Sequence, residues 1–269
     1  MTKRIIIAAL LQIFAGAAFS QDADSVRQTI DAMPSFGIYK DNYFTLGTAL
    51  GSKPDDKNSD VKFRISFRQR LTNSVLPFNT YLYLFYTQNT FWNVFESSLP
   101  MHDVNYNPGI GWAKMLIKDG RVVGNATLLA EHESNGRDGD DSRSWNKFGI
   151  AANYFINSTV MLHCKVFVSF IDSDNNGDLL DYTGFVHFGI EKKPANNRWV
   201  FNLRFVKRNG WNFNFNTCAE FGIRFNKDAN QFLFVQYYNG YGESLLDYNQ
   251  YRSRIRIGLL IRPRYFSEF

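Results

Sequence analysis

The chain has 269 residues, of which 45% are hydrophobic, 17% aromatic and 20% charged, with a net charge of +5. Its mean hydropathy is slightly negative at -0.30, so the 26 Phe and 14 Tyr are dispersed along the chain, not gathered into blocks. Beyond residue 20 no apolar stretch approaches the roughly 20 residues a membrane-spanning helix needs, which excludes a polytopic helical membrane protein. So many aromatics exclude disorder, and no basic tract interleaved with aromatics points to nucleic acid.

The N-terminus reads as a secretory signal over residues 1–20. Lys3 and Arg4 form its positive end, 5–14 its apolar stretch, and Ala18-Phe19-Ser20 a cleavage triplet before Gln21. Its removal lowers the net charge to about +3. Past residue 21, apolar and polar residues alternate, the mark of strands whose two faces meet different surroundings. In chain order the segments lie near 43–51, 61–71, 80–90, 108–117, 121–134, 144–156, 159–170, 181–192, 197–208, 211–226 and 230–241, with a last one ending at 262. That makes about twelve, each near the 9–11 residues a tilted strand needs to cross a bilayer.

Three segments show the pattern best. In 159–170, Val160, Leu162, Cys164, Val166, Val168 and Phe170 oppose Thr159, His163, Lys165 and Ser169. In 211–226, Trp211, Phe213, Phe215, Phe221, Ile223 and Phe225 oppose Asn212, Asn214, Asn216, Cys218 and Glu220. In the last, Ile255, Ile257, Leu259 and Ile261 oppose Arg254, Arg256 and Arg262. A soluble sandwich or barrel would turn the apolar faces inward; a transmembrane barrel turns them to lipid around a polar interior. Mid-strand Arg, Asn and Glu and the aromatic-rich apolar faces favour the transmembrane barrel, and the final Phe269 resembles the outer-membrane assembly signal of bacteria. The expected fold is thus all-β, an antiparallel transmembrane barrel at 38–269 preceded by a periplasmic segment at 21–37.

Connections at 51–60, 91–107, 135–143, 171–180 and 240–250 are long and polar; those at 118–120, 157–158, 193–196 and 227–229 are short. Long and short ends alternate as in outer-membrane barrels with periplasmic termini. Two connections break the rule: 72–79 is long for a periplasmic turn and 208–210 short for an outer loop. Cys164 and Cys218 fall on opposite strand faces, which argues against a disulfide.

On strand 121–134, Val122, Ala126, Leu128, Ala130, His132 and Ser134 share the lipid-facing parity. His132 and Ser134 lie at its outward end, about 6.6–7 Å apart along the backbone, which lets an imidazole reach a serine hydroxyl. The next strand places Asn146 on the same face with Phe148 and Ile150. A polar trio on a greasy exterior breaks the rule of the fold, and function is expected where local rules break. One reading is a serine hydrolase with Ser134 as nucleophile, His132 as base and Asn146 orienting the ring. The other is that these are interface-level polar residues where the strand leaves the membrane.

The run His132-x-Ser134-Asn135-Gly136-Arg137 followed by Ser142-Arg143-Ser144-Trp145-Asn146 resembles the signature of the outer-membrane phospholipase A family. Tyr86-Thr87-Gln88, Glu96-Ser97-Ser98, Asn105-Tyr106-x-Pro108 and the stretch from Gly240 to Asn249 match it in order, so the resemblance covers about residues 38–262. It implies a twelve-stranded barrel that hydrolyses phospholipid acyl esters and acts as a calcium-bound homodimer in the outer membrane. Carried over, it makes Ser134, His132 and Asn146 the triad and gives the Gly136 amide to the oxyanion. It assigns Ca²⁺ to the Arg137 carbonyl, the Ser142 side chain and a serine of a second copy, Ser97 or, if Leu99 is an insertion, Ser98. A second calcium site would use Asp174 or Asn175, and Gln88 would lie at the dimer interface. Strand 80–90 is apolar on both faces, so alternation alone does not orient Gln88. The departure is Asp138-Gly139-Asp140-Asp141, where the family has a Ser-Asp-Pro-Thr-like stretch. The competing functional class is a non-catalytic barrel, channel or structural, with a degenerate triad.

Overall fold

The computed structural model describes residues 21–171 and 173–263; the expected signal and Phe269 lie outside them. Among the described residues, twelve strands close into one antiparallel barrel. They are β1 (Asn42–Ala49), β2 (Ser59–Arg70), β3 (Thr80–Trp92), β4 (Met101–Lys118), β5 (Arg121–Ser134) and β6 (Ser144–Asn157). β7 (Val160–Ile171), β8 (Val186–Lys192), β9 (Trp199–Lys207), β10 (Phe215–Arg224), β11 (Gln231–Gly240) and β12 (Arg252–Ile261) complete it. Each pairs with its chain neighbour, and β12 closes the ring on β1, from Arg254 opposite Ala49 to Ile261 opposite Asn42. Phe36–Gly37 adds a two-residue pairing to the edge of β2.

Alternation sorts the side chains as the sequence predicts. Phe44, Leu46, Phe148, Leu162, Val168, Phe170, Ile255, Ile257 and Leu259 are exposed, whereas Tyr43, Thr45, Lys147, His163, Arg254 and Arg256 are buried. An apolar exterior around a charged, filled interior is the transmembrane arrangement, inverted from that of a soluble barrel. Cys164 is exposed and Cys218 buried, both free, on opposite faces.

Several boundaries differ from the sequence reading. β4 begins at Met101 because Asp103, Asn105 and Asn107 point inward and are buried, and their polarity reads as loop. β10 begins at Phe215, so 208–214 is a connection and not strand, with Trp211 and Phe213 fully exposed. The connection expected at 208–210 is thus longer than the sequence reading made it. The segment predicted as strand from 181 begins in a short helix, α3 (Leu179–Thr183), after α2 (Ser173–Asn176), and β8 starts only at Val186.

The other irregular connection, 72–79, is the seat of helix α1 (Gln21–Ala32). The Asp31 carboxylate accepts from the Ser74 backbone N–H at 3.1 Å and from its hydroxyl at 2.7 Å. A helix C-terminus carries unpaired carbonyls and partial negative charge. Arg70 answers both, donating to the carbonyls of Ile30 at 2.5 Å, Asp31 at 2.7 Å and Met33 at 3.0 Å. Ile30 then packs with Tyr39, Tyr81, Tyr83, Phe85, Met115 and Leu129, so this end of the interior is an apolar plug. At the opposite end the 241–251 connection straps the mouth. Leu245 and Tyr248 are buried with Trp145, Phe167 and Leu179. The backbone N–H groups of Leu245 and Leu246 donate to Asn105 Oδ1 at 3.1 Å and Asp103 Oδ2 at 2.9 Å. A lumen plugged below and strapped above weighs against a passive channel.

Candidate active site

Antiparallel register places His132 on β5 opposite Asn146 on β6, and Ser134 opposite Ser144. His132 and Asn146 are exposed on the outer face, and Ser134 is partly exposed beside them. The inner faces of the same strands are pinned. Glu133 Oε2 accepts from Lys147 Nζ at 2.5 Å and from Trp145 Nε1 at 3.0 Å, and Lys165 donates to Glu131. Buried ion pairs behind the wall therefore hold rigid the two strands that carry the exposed trio.

His132 Nδ1 lies 2.9 Å from Asn146 Oδ1. An amide oxygen only accepts, so Nδ1 carries the proton and Nε2 keeps its lone pair. Nε2 is then the basic nitrogen, and Ser134 stands one strand repeat further along the same face. The Asn107 side-chain amide donates to the His132 carbonyl at 2.8 Å, fixing the backbone under the ring.

The 135–143 connection is organised by Asn135, which is buried. Its Oδ1 accepts from the Arg143 backbone N–H at 2.9 Å and from that of Arg137 at 3.4 Å, and its Nδ2 donates to the Asp141 carbonyl at 2.9 Å. Gly136 turns the chain at φ +66°, a left-handed conformation that favours glycine. A Cβ there would meet a Tyr106 ring carbon at 2.9 Å, and Tyr106 itself pairs with Ser134. Sequence reasoning had no role for Asn135, Asn107 or Tyr106. The signals were the Asn-Gly turn dipeptide and the Asp103, Asn105, Asn107 alternation, legible only once 101–107 is known as strand.

The Arg137 guanidinium donates to the His102 carbonyl at 2.5 Å and approaches Asp141 at 3.4 Å. In the same turn the Asp140 carbonyl accepts from Arg143 at 2.6 Å, while the Arg137 carbonyl and the Ser142 hydroxyl accept no hydrogen bond among the described residues. Asp138, Asp140 and Asp141 are exposed around them. An all-oxygen donor set suits a hard cation such as calcium, so the residues fit. Among the described residues no group of three His, Cys, Asp or Glu is placed to hold a metal. Any cation here would depend on carbonyl and hydroxyl oxygens.

Asn175 does not stand apart: its Nδ2 donates to the Gly139 carbonyl at 3.3 Å, and the buried Asn176 donates to the Ser144 carbonyl at 3.0 Å. The Asp174 side chain lies outside the described part. Ser97 and Ser98 are both exposed on the 93–100 connection at the same barrel end, Ser98 at φ +69°. Gln88 shares the outer face with exposed Leu84. It accepts from the Tyr86 hydroxyl at 2.9 Å and donates to Thr90 Oγ1 at 3.1 Å, which supplies the orientation that alternation left open.

A family profile described as phospholipase A1 matches residues 32–261. The chain is 28% identical over 215 residues to phospholipase A1 of Escherichia coli strain K12, covering 76% of this chain and 70% of that protein. It is 26% identical over 241 residues to phospholipase A1 of Proteus vulgaris, covering 83% and 80%. In structure it is similar to outer membrane phospholipase A from Escherichia coli, with a TM-score of 0.73 and 24% identity over 85% of this chain and 98% of that one. The Salmonella typhi outer membrane phospholipase dimer with bound calcium gives the same TM-score of 0.73 at 23% identity, over 91% and 99%. With the family profile spanning nearly all of the barrel, this chain belongs to the phospholipase A1 family, and it is built as an outer-membrane barrel.

Proposed function

We propose that this barrel hydrolyses acyl ester bonds of phospholipids, with A1, A2 and lysophospholipase action, at the outer leaflet of the bacterial outer membrane. The observation that carries the reading is the 2.9 Å contact of His132 Nδ1 with Asn146 Oδ1 on the outward face beside Ser134. Lipid reaches such a site laterally, with its ester at the level where the strands leave the membrane. With the termini in the periplasm, the 135–143 connection lies outside.

In the proposed mechanism Ser134 Oγ attacks the ester carbonyl and His132 Nε2 takes its proton. The imidazolium then returns the proton to the departing alkoxide, leaving an acyl-serine. Water, deprotonated by the same nitrogen, releases the fatty acid. Asn146 orients the ring and fixes its tautomer, though a neutral amide stabilises imidazolium less than a carboxylate would. The Gly136 backbone N–H donates to the oxygen on which charge develops. Calcium, held by the Arg137 carbonyl and the Ser142 side chain with Ser97 or Ser98 of a second copy, would add positive charge beside that oxygen. Gln88 would pair across the interface of the two copies, offsetting the cost of a polar group facing lipid. Asp174 or Asn175 would serve a second cation.

Mass spectrometry of products from vesicles of defined phospholipid tests the reading. Fatty acid and lysophospholipid should accumulate in calcium and fall to background in chelator. No hydrolysis in either condition would favour the non-catalytic barrel. Gly136→Ala is expected to lower kcat by about 10²-fold, the usual cost of one oxyanion donor, because the new Cβ must displace either the turn or the Tyr106 ring.

A further inference from the structure

We propose that the barrel lumen binds a tetrahedral oxyanion of the phosphate class as a fixed counter-ion, in the cavity beneath the 241–251 strap. This cavity of about 180 Å³ is lined by six cations: Lys40, Lys62, Arg64, Lys147, Lys165 and Arg204. Three are answered by carboxylates. Lys62 Nζ is 3.1 Å from Glu243, Lys147 Nζ is 2.5 Å from Glu133, and Lys165 bonds Glu131. Lys40, Arg64 and Arg204 make no ion pair among the described residues. Arg64 spends Nε on the Asn89 amide oxygen at 2.9 Å and lies over the Tyr43 ring, 4.8 Å from its centroid. Lys40 lies 5.5 Å from the Tyr39 ring centroid.

Two further buried carboxylates lie on this side, Asp103 under the strap and Glu220, which faces Arg204 and Arg64 but is hydrogen-bonded by amides. Gln236 donates to Oε1 at 2.7 Å and Asn202 to Oε2 at 3.0 Å. Counting Glu220, Glu131 and Asp103 with the two lining carboxylates leaves six positive charges against five negative. The neighbouring Arg254, Arg256 and Asp60 add one net positive charge, making eight positive against six negative. A charge withdrawn from bulk water is paired or costs several kcal/mol, and here two are surplus. Two guanidiniums and an ammonium without a carboxylate partner line the same cavity, and the guanidinium fork matches two oxygens of one ion. A doubly charged tetrahedral oxyanion balances the surplus and leaves room in the cavity for water. The site lies inside the barrel wall and the triad outside it, so the inference stands apart from the hydrolytic reading.

The test starts from barrel refolded in detergent with gluconate as the only added anion, followed by inorganic phosphate at constant ionic strength. The temperature at which folded gel migration is lost should rise by a few degrees and saturate, as for a ligand of the native state. Arg204→Gln and Arg64→Gln should each abolish the rise. In crystals, selenate should give an anomalous peak between Arg64, Arg204 and Lys40, a measurement that stands even where a variant does not refold. Three results overturn the proposal: no peak in the cavity, an equal rise in Arg204→Gln, or an equal rise with chloride in place of phosphate.

Discussion

Ser134→Ala is expected to reduce phospholipid hydrolysis by about 10⁴-fold or more, the scale on which triad nucleophiles fail. Heat-modifiable gel migration should be unchanged, because Ser134 faces outward and its neighbours in the wall are held from inside by the Lys147–Glu133 and Lys165–Glu131 pairs. Asn146→Ala should cost less. It removes the acceptor that keeps the proton on Nδ1 but takes no charge from the site. The order Ser134→Ala below Asn146→Ala below unmodified protein, with all three folded, is therefore the signature of the proposed mechanism. Full activity in Ser134→Ala would sink it.

Arg256→Met is expected to destabilise the barrel by about 3 kcal/mol, the lower end for breaking a buried ion network by removing one partner. The Arg256 side chain is fully buried. It bonds both Asp60 oxygens at 2.9 Å and Glu243 at 2.5 and 3.3 Å. Its path is open only because Gly47 lies between the partners: a Cβ there would fall 2.2 Å from Arg256 Cγ. Gly47→Ala should accordingly weaken the same network. Glu243, on the 241–251 connection, adds a pH dependence. Burial alone pushes its carboxyl up, but the charges of Arg256 and Lys62 overrule that and hold it at about 2. That stabilisation is complete above the unfolded value of about 4.3 and is lost as pH falls toward about 2. Arg256→Met lets the folded value rise, so its acid unfolding midpoint should move to higher pH. Melting by gel shift across pH checks both effects, and an unchanged midpoint would show the network to be dispensable.

Period two is a local property, so the outward parity of His132, Ser134 and Asn146 was legible from a few residues on each strand. It required nothing about the rest of the chain. What hid from the sequence was set by distant partners. Asp103, Asn105 and Asn107 read as loop because their polarity is satisfied by the 241–251 strap and by His132, far along the chain. Gln88 had no assignable face because Tyr81, Tyr83 and Phe85 fill the apolar plug and make both faces of β3 hydrophobic. The long 72–79 turn was anomalous until α1 was seen resting on it. The 135–143 turn carried its motif openly, but Asn135 as its organiser depends on hydrogen bonds that no spacing announces.

The seam between β12 and β1 joins residues about two hundred positions apart, and Arg256 crosses it over Gly47 to reach Asp60 on β2. A growing chain therefore has two bare edges until its last strand is made, and unpaired edges invite pairing with other molecules. Contacts of such sequence separation form late and slowly. The Arg256–Asp60 bond thus doubles as a latch that recognises the correct final register, since a slip of one residue would turn Arg256 out toward lipid.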